Sequence, residues 1–327
     1  MARTIRSRRR RRRIKLAALA SLIFAVTLSV GVGFAALDAR KPSRPTAPTY
    51  APTAFPTELP SDNPTAGPTT PAGPTLEARL AIIGDSGTRD ANIRKTAAAI
   101  AAADAKGDHP FDALLDAGDL VYDKGEAKLT KASVIDPFAQ TFTVNEIVPA
   151  IGNHDIDSGQ EKEIMQQLGR SALTYATQVG KVRILVLDSN RVDTGQTRWL
   201  AAQLQQPQPS GAWTFALFHH SPFSSGMHGS DGNVRKRWVP LFATYKVALV
   251  ISGHDHDYER SKPQDGVTYL VSGGSANLRS VGKSSFTAVS AKTLHFVDLW
   301  VYSDKLVGRA IDQDGKVFDQ WTIPRPS

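Results

Sequence analysis

Cysteine is absent from this chain of 327 residues. Its absence excludes disulfide bonds, a thiol nucleophile and any zinc site that is held by thiolates. A surplus of basic charge is also missing from most of the chain. Nine of the 39 Lys and Arg residues lie in residues 1–15, and the rest of the chain carries 30 basic against 31 acidic residues. We therefore expect no nucleic-acid partner, because the high isoelectric point comes from the N-terminus alone.

An apolar segment of 22 residues without a charge follows the basic N-terminus, at residues 16–37. A basic stretch such as residues 1–15, which would stay in the cytoplasm, followed by an apolar segment is typical of a signal peptide or a transmembrane anchor. The length favours an anchor, since a membrane span needs about 20 residues. The small residues on either side of Phe34 also permit cleavage. We expect an extracytoplasmic protein that is membrane-anchored or, if the segment is cleaved, secreted.

Residues 38–75 are rich in proline and threonine. Ten of the 20 prolines and eight threonines lie in residues 41–75. This composition cannot bury a hydrophobic core, and it predicts a disordered, extended stalk of polyproline-like conformation. At ~3.1 Å per residue, such a stalk would reach on the order of 100 Å. We expect the folded domain to occupy residues 76–327.

The domain region alternates apolar, β-branched runs with helical segments and ends in a β-rich tail. This pattern predicts an α/β domain in which two packed sheets have helices on their outer faces. The predicted strands that matter most for function are Ala78–Ile83, Phe111–Ala117, Glu146–Ile151, Trp213–Phe218 and Val247–Ile251. The predicted helices are Ala91–Asp104, Gln196–Leu204 and Val234–Tyr245.

Polar residues of a few types follow these five strands, at the point where each strand ends. Glycines accompany most of them, which permits positive φ angles and close approach of the backbone. Six of the eight histidines lie in or beside these segments. In chain order the residues are Asp85, Asp119 with Tyr122, Asn153 with His154 and Asp155, His219 with His220, and His254 with His256.

The types of side chain at these strand ends indicate a metal centre. Carboxylate, imidazole and amide oxygen ligands suit hard to borderline metals such as Fe, Mn and Zn. Singly, each signal is weak, because a Gly-Asp pair is more often a turn and a lone tyrosine more often packs in a loop. Together they provide enough ligands for two ions, and the two oxygens of Asp119 can bridge them. The sequence therefore predicts a dinuclear metal site.

These segments resemble the motifs of the calcineurin-like metallophosphoesterases and, within them, of the purple acid phosphatases, which carry GDxG, GDxxY, GNH[DE], VxxH and GHxH. The segments that match GDxG, GDxxY, GNH[DE] and GHxH begin at Gly84, Gly118, Gly152 and Gly253. The segment that matches VxxH begins at Leu217, which stands in place of the valine. GDxxY is the discriminating motif, because most metallophosphoesterases lack its tyrosine. The resemblance covers roughly residues 76–274 and implies a four-layer αββα sandwich of two mixed β-sheets flanked by helices.

The resemblance also implies ligands for two ions that share one bridging carboxylate, Asp119. The first ion would be Fe(III), because a tyrosinate binds it, and the second would be Fe(II), Zn or Mn. The implied ligands are Asp85, Tyr122 and His256 for the first ion and Asn153, His220 and His254 for the second. The adjacent His219 makes the fourth segment ambiguous, and the phrase His-Ser-Pro favours His220.

Three further residues would act on the substrate. By resemblance, His154 would meet the substrate phosphate or the leaving oxygen, and Asp155 would orient its ring as a carboxylate behind the ligands does. His228, in Met-His-Gly, matches a substrate-facing histidine of the animal members, although it is also compatible with an ordinary loop histidine.

The implied reaction is hydrolysis of a phosphate ester by an acid phosphatase-like phosphomonoesterase. A metal-bound hydroxide would attack phosphorus in line, and His154 or His228 would protonate the leaving alkoxide. A phosphodiesterase or nucleotidase of the same fold is the main alternative, because the pocket loops decide between them. The other alternative is a stalked surface module without catalysis.

Overall fold

A computed structural model describes residues 73–325 of the protein. The expectations for residues 1–15, for residues 16–37 and for the part of the stalk up to residue 72 lie outside the described residues. Within residues 73–325, no helix is both long enough and apolar enough to cross a membrane.

Thirteen strands lie in the described residues and form two sheets. Their bounds are β1 (Leu76–Ile83), β2 (Ala113–Asp116), β3 (Ile147–Pro149), β4 (Tyr175–Val179), β5 (Val182–Val186), β6 (Trp213–His220), β7 (Leu249–Gly253), β8 (Tyr258–Ser261), β9 (Thr268–Ser272), β10 (Thr287–Ala291), β11 (His295–Tyr302), β12 (Lys305–Asp312) and β13 (Val317–Pro324). The first sheet has the order β13-β12-β11-β1-β2-β3, and the second has the order β10-β8-β9-β7-β6-β5-β4.

Both sheets are mixed. In the first sheet β1, β2 and β3 run parallel, whereas β11, β12 and β13 pair in antiparallel fashion. In the second sheet β5, β6, β7 and β9 run parallel, and β4, β8 and β10 are antiparallel additions at its two sides. The carboxyl ends of parallel strands meet at one edge, which is where sheets of this kind place their functional groups.

In residues 73–325, six α-helices flank the sheets: α1 (Ala91–Lys106), α2 (Asp136–Phe138), α3 (Glu161–Gln167), α4 (Thr194–Gln205), α5 (Gly232–Arg237) and α6 (Val239–Thr244). A π-helical turn, Lys131–Ile135, leads into α2, and 3-10 turns occupy Ala127–Leu129, Val144–Glu146 and His154–Ile156. Aspartate side chains cap the starts of α1, α4 and α5 by accepting backbone N–H groups, which satisfies donors that have no partner inside a helix.

Side chains alternate between the two faces of each strand, and this alternation allows the four layers to form. In β1, Leu80 and Ile82 face the core between the sheets, whereas Ala81 and Ile83 face α1. In β6, alternate residues likewise divide between the core between the sheets and the core beneath α4, α5 and α6. Since successive side chains of a strand point to opposite faces, each sheet can be buried on both sides. The predicted αββα sandwich of two mixed sheets is therefore confirmed.

One predicted helix differs in detail. Residues 234–245 were expected to form a single helix, but the structure has α5 and α6 with a break at Trp238. Pro240 lies in the first turn of α6, where its missing N–H costs nothing, whereas inside a continuous helix it would remove a hydrogen bond. The proline therefore starts a new helix at this point.

Candidate metal centre

The predicted ligands meet where the carboxyl ends of β1, β2, β3, β6 and β7 approach one another. Hydrogen bonds between the two sheets hold this edge together. The backbone N–H of His254 donates to Asp85 Oδ2 at 2.8 Å, and His219 Nδ1 lies 2.9 Å from the carbonyl oxygen of Ala117. The two sheets therefore bring their strand-end residues to a common site.

One half of the site gathers three of the predicted residues around the hydroxyl of Tyr122. Tyr122 Oη lies 2.9 Å from Asp119 Oδ2 and 3.1 Å from Asp85 Oδ1. It also lies 3.2 Å from His256 Nε2, which is itself 3.3 Å from Asp85 Oδ1. The residues expected around the first ion thus lie within reach of one position.

The other half of the site is built around His219. Its Nε2 atom lies 3.1 Å from Asn153 Oδ1, 3.2 Å from His254 Nδ1 and 3.5 Å from Asp119 Oδ1. The two oxygens of Asp119 therefore face different halves of the site, because Oδ2 lies beside Tyr122 and Oδ1 beside His219. This is the arrangement that a bridging carboxylate requires.

His220, the residue that the sequence favoured at this position, has another environment. Its Nδ1 lies 2.9 Å from Ser189 Oγ, and that hydroxyl also accepts the backbone N–H of His220. It keeps contact with the site through His254, whose ring centroid is 4.5 Å from its own. The structure thus brings His219 to Asn153 and Asp119, and it leaves His220 half-buried beside them.

The strand pairing of β6 is irregular at the two adjacent histidines. The register between β6 and β7 shifts between Leu217 and His220. An irregularity of this kind adds a residue to one strand and re-aims the side chains that follow it. The regular alternation of faces along β6 therefore does not tell which imidazole faces the metal site.

The backbone of the site is strained where the ligands sit. Asp85, Asp119 and His254 have φ angles of 55°, 56° and 70°, in the left-handed region that residues other than glycine rarely adopt. Glycines lie directly against the carboxylates, since a Cβ on Gly152 would come within 2.2 Å of Asp119 Oδ1. Such strain persists only where the surrounding structure enforces it, and it concentrates at functional sites.

Crowding of titratable groups shifts their pKa values. Burial would lower the pKa of His219, but the carboxylates of Asp119 and Asp85 outweigh it and raise the pKa to about 10. Burial and the charge of His219 lower the pKa of His254 to about 2 and that of His220 to about 4. For Tyr122, burial and the two nearby carboxylates raise the pKa well above its usual value. The carboxylates therefore favour a positive charge in this space.

This donor set fits metal ions. Carboxylate, amide and phenol oxygens converge with imidazole nitrogens, and two groups have ligand atoms that all lie within 4.8 Å of one another, namely Asp85, Asp119 and His219, and His219, His220 and His254. Oxygen and imidazole ligands suit hard to borderline cations. The residues could thus hold two ions, with Asp119 between them.

His154 faces the site from the exposed side. Its Nδ1 lies 2.7 Å from the carbonyl oxygen of Asp123 and can donate to it, while Nε2 is 4.0 Å from Asp119 Oδ2. The ring packs on Tyr122 with a centroid distance of 4.6 Å. Its side chain is 30% exposed, so part of the ring borders solvent.

The structure corrects the role that we expected for Asp155. Within the described residues no hydrogen bond joins its carboxylate to the ring of His154. It accepts the backbone N–H groups of Leu120, Val121 and Gly152, at 3.1, 2.8 and 2.8 Å. Burial and the charge of Asp119 raise the pKa of Asp155 to about 8. Asp155 therefore fixes the loop that carries Asp119, and the carbonyl of Asp123 orients His154.

His228 lies at the rim of the site, with its ring stacked on that of His254 at a centroid distance of 4.2 Å. Its Nε2 accepts a hydrogen bond from the guanidinium of Arg279. Burial and the charge of Arg279 lower the pKa of His228. The sequence analysis did not identify Arg279, because it is 51 residues from His228 and follows no recognisable motif.

Comparisons with known proteins agree with this geometry. The family model described as "Calcineurin-like phosphoesterase" matches residues 78–258. Purple acid phosphatase 1 of Ipomoea batatas is 32% identical over 105 residues, which cover 30% of this chain and 22% of that protein. An uncharacterised protein of Mycobacterium tuberculosis is 31% identical over 150 residues, which cover 36% of this chain and 28% of that protein. The chain thus matches less than a third of the length of these curated relatives.

A solved structure supports the fold. The purple acid phosphatase from yellow lupin (Lupinus luteus) seeds superimposes with a TM-score of 0.65 at 22% identity, covering 76% of this chain and 53% of the lupin chain. The purple acid phosphatases are accordingly distant relatives, and the family model spans more than half of this chain. With its candidate dimetal site and its two-sheet sandwich, the chain belongs to the calcineurin-like phosphoesterase family.

Proposed function

We propose that the protein is an acid phosphatase-like phosphomonoesterase with Fe(III) beside Tyr122 and Fe(II), Zn or Mn at the second site. The position of Tyr122 carries this proposal, because its hydroxyl lies within 3.2 Å of Asp85, Asp119 and His256. A phenol oxygen among carboxylates and imidazole is a suitable ligand for a hard, highly charged ion. The second ion would be held by Asn153 and His254 together with His219, or with the neighbouring His220.

When bound, the two ions would polarise the phosphoryl oxygens and lower the pKa of the attacking water. The protein positions the remaining groups. His154 is oriented through its Nδ1 by the carbonyl oxygen of Asp123, 2.7 Å away, and its Nε2 can donate a hydrogen bond to phosphate or a proton to the leaving oxygen. The ring of His228, stacked on that of His254, borders the same space.

Metal analysis and a visible spectrum of the purified full-length protein test the metal assignment. We expect two metal ions per chain and a visible tyrosinate-to-Fe(III) band that Tyr122→Phe removes. A matched variant, Tyr302→Phe, lies at the far end of β11 and should keep the band. An iron-loaded protein without such a band, or a band that survives in Tyr122→Phe, would contradict the role of Tyr122.

Hydrolysis of two nitrophenyl esters tests the reaction class. The proposed monoesterase should cleave 4-nitrophenyl phosphate with a higher kcat/KM than bis(4-nitrophenyl) phosphate. The opposite order would favour the phosphodiesterase alternative. A metal-loaded protein that cleaves neither ester, nor a nucleotide, would favour a binding module.

We further propose that the catalytic domain works outside the cytoplasm, on a stalk that joins it to a membrane anchor or to a cleaved export signal. The basic residues 1–15, the apolar residues 16–37 and the proline-rich residues 38–75 support this proposal. Cell fractionation with N-terminal sequencing tests it. An intact N-terminus in the membrane fraction indicates an anchor, a new N-terminus near residue 37 indicates release, and an intact soluble cytoplasmic protein would contradict both.

A further inference from the structure

A built loop holds His228 over the candidate metal centre. The carboxylate of Asp255 accepts the backbone N–H of His228 at 2.7 Å through Oδ1 and the hydroxyl of Ser224 at 2.5 Å through Oδ2. Glu259 accepts the backbone N–H and the hydroxyl of the next residue, Ser225, at 2.6 and 2.8 Å. Two carboxylates from the segment that follows β7 therefore fix residues 224–228, and with them the position of the His228 ring.

Arg279 completes the rim of this loop from another segment, between β9 and β10. Its backbone N–H donates to the carbonyl oxygen of His256 at 2.9 Å, so its main chain is attached to the site. Its guanidinium reaches Nε2 of His228. The side chain is half-buried. Arg279 thus contacts the edge of the exposed His228 ring, which in turn stacks on His254.

The guanidinium of Arg279 has no carboxylate partner within 4.0 Å in residues 73–325, and its contact with His228 is its one side-chain hydrogen bond there. Several other arginines of the domain do have a carboxylate partner. Arg79 and Arg309 both contact Asp298, and Arg260 contacts Asp319. A guanidinium carries five N–H donors in a planar fork that matches a carboxylate or a phosphate. Most of the donors of Arg279 therefore remain available to an anion.

We propose that Arg279 binds an anionic group on the leaving-group side of the substrate, and that the enzyme therefore prefers phosphate monoesters whose leaving group carries a negative charge close to the ester. This inference rests on the proposed function. The scissile phosphate would occupy the space beside the ligands, whereas Arg279 lies beyond His228 and meets what projects outward from the phosphate. A negative leaving group would pair with the guanidinium, and a neutral one would leave it in water.

Two matched esters, phenyl phosphate and 2-carboxyphenyl phosphate, test this preference with the metal-loaded, full-length protein. We expect Arg279→Gln to lower kcat/KM for the carboxylated ester by about 10- to 100-fold, mainly through KM, because a charge-assisted pair is lost. Phenyl phosphate should lose less than about threefold. For the carboxylated ester, the kcat/KM of Arg279→Lys should lie between those of the wild type and Arg279→Gln, since lysine keeps the charge but lacks the planar fork. Intrinsic reactivity cancels, because each variant is compared with the wild type on the same ester.

Lys283→Gln is the matched control, because Lys283 is an exposed cation in the same segment that has no contact with His228. It should leave both esters unchanged. An equal loss on both esters in Arg279→Gln would overturn the inference, and so would a loss in Lys283→Gln of the same size.

Binding of uncleavable phosphonates separates this inference from the proposed function. If the wild type cleaves neither ester, the proposed function fails, and calorimetry with phenylphosphonate and 2-carboxyphenylphosphonate still tests Arg279. A rise of at least about tenfold in the Kd of the carboxylated compound alone, in Arg279→Gln, supports the anion site. An unchanged Kd overturns it.

Discussion

The two sheets supply different chemistry to the same site. The strand ends of the first sheet carry oxygen ligands, namely Asp85, Asp119, Tyr122 and Asn153, whereas the strand ends of the second sheet carry the imidazoles of His219, His220, His254 and His256. Without the imidazoles, the carboxylates would place their negative charges close together. Without the carboxylates, the imidazoles would offer no negative charge to a metal ion. The candidate binuclear site therefore lies where the two edges meet.

The contacts across this boundary explain how the two sets are aligned. Asp85 belongs to the first sheet but accepts the backbone N–H of His254 from the second, at 2.8 Å. His219 belongs to the second sheet but contacts the carbonyl oxygen of Ala117 in the first, at 2.9 Å. Each sheet thus positions a ligand of the other, and the core of apolar residues between the sheets keeps them together.

Removing one ligand from either sheet should have the largest effect. We expect Asp119→Ala and His254→Ala each to abolish hydrolysis of 4-nitrophenyl phosphate, with a loss of at least about a thousandfold, because two-metal stabilisation of the transition state is worth several kcal/mol. Metal content measured by mass spectrometry should fall below two ions per chain. Asp108→Ala, at an exposed aspartate remote from the site, is the control. Full activity in either ligand variant would contradict the dimetal assignment.

The adjacent histidines of β6 test which imidazole the second sheet supplies. We expect His219→Ala to lose hydrolysis and bound metal as a ligand variant does, because only His219 reaches both Asn153 and Asp119. His220→Ala should lose only about 10- to 100-fold in activity, which is the range seen when a group behind the ligands is lost. The reverse order would return the ligand role to His220, the residue that the His-Ser-Pro phrase favoured.

A glycine beneath the bridging carboxylate tests how closely the oxygen edge is packed. A Cβ at residue 152 would lie 2.2 Å from Asp119 Oδ1 and 2.3 Å from its backbone nitrogen. Gly152→Ala should therefore displace Asp119, lower kcat/KM by about 10- to 100-fold and destabilise the fold by about 1–3 kcal/mol. Gly232→Ala, where no atom lies within 4 Å of the new Cβ, should leave activity unchanged. Equal behaviour of the two variants in chemical denaturation and kinetics would show that the space at residue 152 is not constrained.

A smaller, pH-dependent effect should appear at His295, which joins the sheets without contacting a ligand. His295 lies on β11 of the first sheet, and its Nε2 is 3.1 Å from Ser272 Oγ on β9 of the second. Burial lowers its pKa from 6.5 to about 4. Between these values the unfolded state binds more protons than the folded state, so the free energy of unfolding falls as the pH is lowered. The titration of His295 should lower the free energy of unfolding by up to about 3 kcal/mol between pH 7 and pH 4.

His295→Gln should remove that contribution, because glutamine does not titrate. Chemical denaturation of the wild type and the variant from pH 4 to pH 7 measures the difference in slope. Parallel curves for the two proteins would contradict the titration of His295, whatever the other acidic groups contribute, because those groups are common to both.

The sequence allowed most of the fold to be predicted, since the strands that carry ligands are continuous apolar runs. It did not predict β8, whose residues Tyr-Glu-Arg-Ser contain a single aromatic and no aliphatic side chain. Burial of that strand comes from contacts that are distant in the chain, such as the hydrogen bond between Tyr258 Oη and Asp319 Oδ2 at 2.6 Å. Local patterns do not encode a pairing of this kind.

The chain by itself determined which kinds of side chain stand at the strand ends, because each ligand type lies beside its own apolar run and turn. The tertiary structure decided the rest. His219 lies beside Asn153 where the pairing of β6 and β7 shifts. The carboxylate of Asp155 accepts backbone N–H groups of the loop that carries Asp119. The segment before β10 brings Arg279 to His228. Each of these contacts depends on the packing of segments that are far apart in sequence, and packing selects side-chain direction where local periodicity is interrupted.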